Sequence, residues 1–396
     1  MQSPIIPGFG FARMPEICFG AGALRQLPQR IARTGSRVLL VTGSASFLAT
    51  EAYAGLIEAL TQAEVWQFQV AVSGEPSPSF VDRTVERYRD EKLDWVVGIG
   101  GGSVMDAGKA ISAMLLQEGS VADYLEGRET RKHDGRKIPY VAVPTSSGTG
   151  SEATKNAVLS EIGTQGYKNS LRHDNLVPDL ALIDPELMRS CPPALTAACG
   201  LDALTQLLEA YVSTKASPIS DALALSGLEH FAAGFLPAYE QGERDIVARS
   251  HMAYAAFLSG VTLANAGLGV VHGFASPIGG YFDVPHGVVC GTLIGEATRI
   301  NLEVLFEDEE KNRITLEKFA RVGALLAGQS SGSTRLDCAQ LLRILQQWIE
   351  RTNIQKLGHY GISPGDFTKI LDKTNNKNSP VTLDRKQMQS ILEARL

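Results

Sequence analysis

The chain is poor in the features that mark secreted, cross-linked or polyanion-binding proteins. Its 396 residues hold only five cysteines, Cys18, Cys191, Cys199, Cys290 and Cys338. They are scattered, odd in number and form no C-x-x-C pair, which argues against a disulfide framework or a zinc cluster and for free thiols in a reducing cytoplasm. There is no dense run of Lys or Arg, and the net charge is −6; nucleic acid and anionic membrane are therefore poor partners, and small molecules are the better expectation. The opening residues, MQSPIIPGFGF, lack the basic-then-apolar layout of a signal peptide. No fixed-period repeat and no low-complexity tract occurs. One stretch, Met252 to Phe282, carries no charge except a possible one on His272 and is long enough to suggest a membrane span. Because it contains Ser259, Thr262, Asn265, Pro277 and several glycines, we expect a helix buried on all sides within a soluble protein.

What is present points to two domains. Hydrophobic residues at 44% and charged residues at 20% are globular proportions, and the length exceeds one typical core. Up to about residue 187 short apolar runs alternate with helical patterns. Val38–Thr42, Val65–Val70, Trp95–Ile99, Tyr140–Val143 and Leu180–Ile183 read as strands, Phe80–Lys92 and Val104–Leu116 as helices. This alternation predicts a parallel sheet covered on both faces. From residue 188 strand signals largely vanish and helical patterns run to the end, so residues 1–187 are expected to form an α/β dinucleotide-binding domain and residues 188–396 an all-helical domain.

The most informative segment is Val97–Lys109, VGIGGGSVMDAGK, a buried-strand run that breaks into three glycines and continues as a helix. Backbone without Cβ atoms lets a large anion approach, and the helix start aims unpaired N–H groups and a positive dipole end at it. The spacing is not G-x-G-x-x-G, and the segment also suits a plain strand-to-helix turn. A second loop follows another strand in IPYVAVPTSSGTGSE, Ile138–Glu152. Its hydroxyls, Thr145, Ser146, Ser147 and Thr149, offer small donors to phosphate or to a carboxamide. Two such loops after apolar strands point to a nucleotide at the carboxyl ends of a parallel sheet.

The helical half holds a second constellation. In CGLDALTQLLEAY, Asp202 and Gln206 are four apart and share a helix face. His272 and His286 flank HGFASPIGGYFDVPH, read as a glycine-rich loop whose turns bring the two imidazoles together. An Asp, an amide and two histidines suit a divalent metal with mixed N and O ligands. Singly, each also suits a structural place: Asp202 near a helix start, Gln206 on a polar face, a histidine as a cap.

GGGS-x-x-D, PT-x-x-GTGSE, G-x-DAL and the H…PHG pair occur here in order, between FGAGAL near Gly20 and NSP near Asn378. Together they resemble the iron-dependent, or group III, alcohol dehydrogenases. The resemblance implies a cleft between the two domains and reversible hydride transfer between NAD(P)(H) and a small alcohol or aldehyde. It implies a metal, iron or zinc, held by Asp202, Gln206, His272 and His286, with Asp202 and both histidines catalytic. Gln206 stands where the family has a histidine, and offers only a neutral amide oxygen. A further family histidine near the nicotinamide is Ser276 here, leaving a hydroxyl, water or the cofactor ribose to carry the proton. Gly101, Gly102, Ser103 and Asp106 are expected at the diphosphate, Thr145, Ser146 and Thr149 at phosphate and nicotinamide, Lys168 near the ribose, and Asn156 with Ser276 beside substrate. After strand Val38–Thr42, Gly43 stands where NAD-preferring relatives tend to carry Asp. Its lack of charge favours NADP(H) over NAD(H). The resemblance also suggests a homodimer or larger assembly. Dehydroquinate-synthase-like lyases and polyol dehydrogenases share the architecture, and a non-catalytic nucleotide-binding protein is the alternative from another class.

Overall fold

The apolar residues of the strands alternate between two faces, and each face has its own helices to cover it. In the computed structural model, which describes residues 6, 8–164 and 166–396, the strands are β1 (Glu16–Phe19), β2 (Arg37–Gly43), β3 (Trp66–Val72), β4 (Trp95–Gly100), β5 (Tyr140–Pro144), β6 (Asn156–Glu161), β7 (Tyr167–Arg172) and β8 (Leu180–Ile183). Six of them form one sheet in the order β1-β8-β5-β4-β2-β3, with every neighbouring pair parallel. Leu39, Val41, Val96 and Ala142 share a core with α3 (Pro78–Tyr88) and α4 (Gly102–Met114). Val38, Leu40, Val97 and Ile99 share another with α1 (Leu27–Ala32) and α2 (Glu51–Gln62). Each such valine, leucine or isoleucine, fully buried, contributes roughly 1.5–3 kcal/mol. This period-two division is why the strands read from sequence as near-continuous apolar runs.

The strand order creates a crevice. From β2 the chain crosses to β3 on one side, then returns to β4 on the other side of β2. Ligands of open α/β sheets bind outside the carboxyl ends of strands at such a reversal. The residues there are Gly43, ending β2, and Gly100 to Gly102, ending β4.

The second half is helical, with no strand after Ile183 among the described residues: α5 (Pro193–Tyr211), α6 (Pro218–Gln241), α7 (Ile246–Ala266), α8 (Val270–Tyr281), α9 (His286–Phe306), α10 (Arg313–Ala327), α11 (Thr334–Arg351), α12 (Phe367–Leu371) and α13 (Arg385–Glu393). Helix α5 is its centre, buried without a break from Gly200 to Tyr211. Its polar residues must therefore find partners inside the protein.

Three features differ from the sequence expectation. Strands β1, β6 and β7 were not foreseen, because β1 is a four-residue edge strand and β6 with β7 forms a separate antiparallel hairpin of mostly polar residues. The uncharged stretch from Met252 to Phe282 is not one helix: α7 ends at Gly267, whose φ of +68° closes it, and α8 leaves at 100° to it. The segment between His272 and His286 is correspondingly not a glycine-rich loop but most of α8 and a short turn into α9. No single helix among the described residues is long and apolar enough to cross a membrane; only the bent pair α7 and α8 passes, by length and composition.

The halves meet through glycine. Gly150, with φ +61°, lies so close to α7 that a Cβ on Gly260 would stand 2.1 Å from the Gly150 carbonyl oxygen. Gly260→Ala should therefore cost about 1–3 kcal/mol through forced backbone separation. Gly55→Ala in α2, where an added Cβ meets nothing within 4 Å, should cost nothing or stabilise. Urea unfolding of both variants checks this; equal midpoints would show that the Gly150–Gly260 approach is not a constraint.

Candidate active site

The two loops foreseen from sequence are brought into contact. Thr145 N donates to Gly100 O at 2.9 Å, which sets the loop after β5 beside the loop after β4. A Cβ on Gly102 would meet Thr149 Cγ2 at 2.7 Å, and one on Gly101 would meet Ser146 Oγ at 3.3 Å. Glycine at 101 and 102 is thus needed for one loop to lie over the other. Gly101 is the N-cap of α4 and no side chain caps the helix, so the α4 N-terminus faces the crevice with free N–H groups. Ser103, Thr145, Ser146 and Thr149 are partly exposed there, whereas Ser147 is buried and donates to Met188 Sδ at 3.0 Å. At Gly43 an added Cβ would meet nothing within 4 Å.

Lys109, fully buried, holds the second loop in place. Its ammonium donates to the carbonyls of Ser151 (2.7 Å), Thr154 (2.9 Å) and Asn156 (2.8 Å), with both the Ser151 and Thr154 hydroxyls within 3.2 Å. Burial draws its pKa down to about 8 against the pull of Asp106 and Glu152. Asp106 accepts from Ser151 Oγ and from Val158 N at 3.1 Å. It therefore ties α4 to the loop and to β6. Burial pushes Glu152 up to about 7, opposed by Lys109.

The second constellation is assembled by three helices. A Cβ on Gly287 would meet Ala198 O at 2.4 Å, and one on Gly291 would meet Leu201 Cβ at 2.9 Å. These glycines, one turn apart, let α9 press against α5, and the neighbouring His286 and Cys290 reach Asp202. The His272 Nε2 lies 3.2 Å and the His286 Nε2 3.8 Å from Asp202 Oδ1. Cys290 Sγ lies 3.6 Å from the first nitrogen and 3.7 Å from the second. One donor atom from each of Asp202, His272, His286 and Cys290 falls within 4.8 Å of all the others.

Electrostatics prepare this cluster for a cation. Asp202 is 1% exposed; burial disfavours its charge, but His286 and His272 outweigh that and hold its pKa below the usual range. Burial, with Lys168 and His272 nearby, pulls His286 down to about 4, so at neutral pH its ring is uncharged. With Nε2 turned inward, His286 Nδ1 is buried and has no hydrogen-bond partner among the described residues. His272 Nδ1 pairs with Glu209 Oε2 at 2.7 Å, and Glu209 Oε1 accepts from Val271 N at 2.8 Å. Burial disfavours charge on His272, but Cys290, Asp202 and Glu209 outweigh it and raise its pKa well above the ordinary value, so a metal at Nε2 would displace a proton there while Glu209 fixes the ring from behind. A buried carboxylate, two inward-facing imidazole nitrogens and a thiol fit a divalent transition ion.

Gln206 lies one turn beyond Asp202 and is 2% exposed. Its Oε1 accepts from Ser259 Oγ at 2.9 Å, and Ser259 Oγ also lies 3.3 Å from Gly148 O. Lys168 pairs with Glu75, and its alkyl chain passes α8 at Gly279. Ser276 is exposed and donates to Lys168 O at 3.3 Å. Asn156 opens β6, and its carbonyl is one of the Lys109 acceptors. Four contributors escaped the sequence reading: Cys290, Glu209, Glu75 and Ser259. Two had a signal, since Cys290 is four residues after His286 in α9 and Glu209 seven after Asp202 in α5, both same-face spacings. Glu75 and Ser259 meet their partners only through tertiary structure.

Fold and similarity together define an oxidoreductase acting on CH–OH groups. Residues 15–185 match the family model for iron-containing alcohol dehydrogenase, and residues 196–396 match the C-terminal model of the Fe-containing alcohol dehydrogenase family. The chain belongs to the iron-containing alcohol dehydrogenase family. It is 33% identical over 387 residues to long-chain-alcohol dehydrogenase 1 of Geobacillus thermodenitrificans, covering 95% of this chain and 93% of that protein. The NADPH-dependent butanol dehydrogenase of Clostridium saccharobutylicum is 29% identical, with 96% and 95% covered. The NAD-dependent methanol dehydrogenase of Bacillus methanolicus is 31% identical, with 82% of each covered. The crystal structure of a 1,3-propanediol oxidoreductase superposes with a TM-score of 0.87 at 29% identity, covering 98% of this chain and 100% of that one.

Glu152 gives a pH test of the buried polar network. Its folded pKa of about 7 exceeds the ordinary 4.5, so between these values the folded state holds a proton that the unfolded state has released. Its contribution to stability is full below the unfolded value and is lost as pH rises through about 7. Unfolding midpoints of wild type relative to Glu152→Gln should fall between pH 5 and pH 8. A constant difference would mean that Glu152 ionises normally.

Proposed function

We propose that this chain is a metal-assisted, NAD(P)(H)-dependent alcohol dehydrogenase or aldehyde reductase for a small alcohol or aldehyde. The observation that carries this is the adjacency of two sites: the loop over α4 touches the start of α5, where a Cβ on Gly148 would meet Cys199 Cβ at 2.8 Å, and Asp202 follows three residues later. Residues 1–187 supply the nucleotide side and residues 188–396 the metal side. Gly101, Gly102 and Ser103 bind the diphosphate through backbone and hydroxyl donors, with Asp106 fixing the loop. Thr145, Ser146 and Thr149 line the path from phosphate to nicotinamide. Lys168, oriented by Glu75, serves the ribose side, and Asn156 and Ser276 border the substrate. A divalent metal held by Asp202, His272 and His286 supplies, when bound, polarisation of a substrate oxygen, while the nicotinamide supplies or accepts hydride. Glu209 keeps the His272 lone pair aimed inward, and the exposed Ser276 hydroxyl offers a route for the proton to solvent. Five free thiols support a reducing, cytoplasmic setting, and the exposed edge strand β1, with Ile17 and Phe19 in solvent, supports a homo-oligomer.

Asp202→Ala, His272→Ala and His286→Ala should each lower aldehyde reduction by about a hundredfold or more, as several kcal/mol of charge stabilisation disappears. Metal content should fall in parallel. NADPH affinity, measured by nicotinamide fluorescence, should barely change, because the diphosphate lies on the other half of the chain. Activity that survives all three changes would remove the mechanism.

The open space at Gly43 supports NADP(H) as the preferred cofactor, since no acidic side chain meets a 2′-phosphate there. NADPH should bind more tightly than NADH, and Gly43→Asp, which the space accommodates, should shift preference toward NADH. Titration of both cofactors with both proteins checks it; tighter NADH binding by the unmodified protein would exclude this specificity.

A further inference from the structure

We propose that Cys290 is a protein ligand of the metal, in the coordination place expected of Gln206, so that this chain carries a sulfur-containing, zinc-type centre. The inference rests on the metal centre proposed above and deepens it. Its first support is distance. Four ligands bound at about 2.0–2.3 Å around a tetrahedral ion are separated from one another by roughly 3.3–3.7 Å. The separations here are 3.2 Å and 3.8 Å from Asp202 Oδ1 to the two imidazole nitrogens, and 3.6 Å and 3.7 Å from Cys290 Sγ to the same nitrogens. The thiol thus stands about as near the two imidazole nitrogens as Asp202 does, and all four donor atoms lie within 4.8 Å of one another.

The second support is the engagement of Gln206. Its amide oxygen, the only atom it could offer a metal, already accepts from Ser259 Oγ, a hydroxyl close to Gly148 O and Ala256 O. Turning that oxygen to a metal would give up the contact by which α5 meets Ser259 of α7. The third support is placement: Cys290 is fully buried on α9, one turn after His286, and its helix is held against α5 by the glycines at 287 and 291. The backbone that carries the sulfur is thus fixed beside the site, and only a change of the Cys290 χ1 rotamer would take the sulfur out of it.

The chemistry follows from the donor set. Two imidazoles, one carboxylate and one thiolate are borderline to soft ligands, a set that favours zinc over the harder ions served by carboxylates and water. Binding converts the thiol to thiolate, forms the metal–sulfur bond and releases the proton to solvent. Four side-chain ligands leave no vacant tetrahedral position, so a substrate can be engaged only if the coordination number rises above four.

The experiment uses the full-length protein stripped of metal and reloaded with zinc or cobalt(II) as probes. X-ray absorption of the zinc form should show one sulfur neighbour at about 2.3 Å. The cobalt form should show a thiolate-to-metal charge-transfer band in the near ultraviolet. Cys290→Ser should lose that band while keeping cobalt, and chelator competition should show zinc affinity weakened by about tenfold or more. The absorption measurement needs no variant and decides the matter if Cys290→Ser fails to fold. Zinc bound by nitrogen and oxygen alone, with affinity unchanged in Cys290→Ser, would overturn the role of Cys290 and leave the Asp202 centre standing. Failure of the wild-type protein to take up either ion would overturn the centre itself and the inference with it.

Discussion

A carboxylate inside a helix that is buried on all sides is the constraint around which this molecule is arranged. Asp202 sits where α5 touches other helices on every face, and an unpaired charge there would cost several kcal/mol. Paired, it becomes an organising point. His272 reaches it from α8 and His286 from α9, and Glu209, two turns along α5, holds His272 from behind. Placing two carboxylates and two imidazoles at the centre of an apolar half leaves one imidazole neutral with an orphaned nitrogen. That is a poor solution for stability alone, and it becomes a good one when a cation shares the donors.

Glycine makes the arrangement reachable. At Gly287 and Gly291 the α9 backbone nears α5, at Gly148 the second loop nears the start of α5, and at Gly150 and Gly260 the two halves meet backbone to backbone. A side chain at any of these positions would move one element by an ångström or more. The chemistry depends on separations of a few tenths of an ångström, so these contacts govern the site as much as its polar residues do. At the end of β4, Gly102 under Thr149 has the same function.

Much of this was legible in the sequence, and the parts that were not share a cause. The five strands predicted from apolar runs appear with ends shifted by a residue or two, because buried parallel strands advertise themselves by composition. The two loops were legible as places of close approach because each sets glycines and small hydroxyls directly after an apolar strand. The break between α7 and α8 was not, although Gly267 stands at it. An uncharged run of thirty-one residues reads as one helix until a tertiary partner is known, and that partner is Asn378, more than a hundred residues away, packed against Gly267. Reading His272 to His286 as a loop followed from the same omission: its glycines serve close packing within and beside a helix, as Gly273 does against Asn375 O. Cys290 was passed over because its sequence neighbours hold no second cysteine, whereas its ligand-like neighbours are on other helices.

Gln206 shows how a buried polar residue one turn from Asp202 takes a different role from its neighbour. The amide ties α5 to α7, and the Ser259 hydroxyl that it meets lies 3.3 Å from Gly148 O in the loop after β5. That hydroxyl adds a polar contact to the direct approach of Gly148 to Cys199 of α5. The same turn of α5 therefore serves two ends: Asp202 faces the cluster, and Gln206 packs the helix against α7 at Ser259.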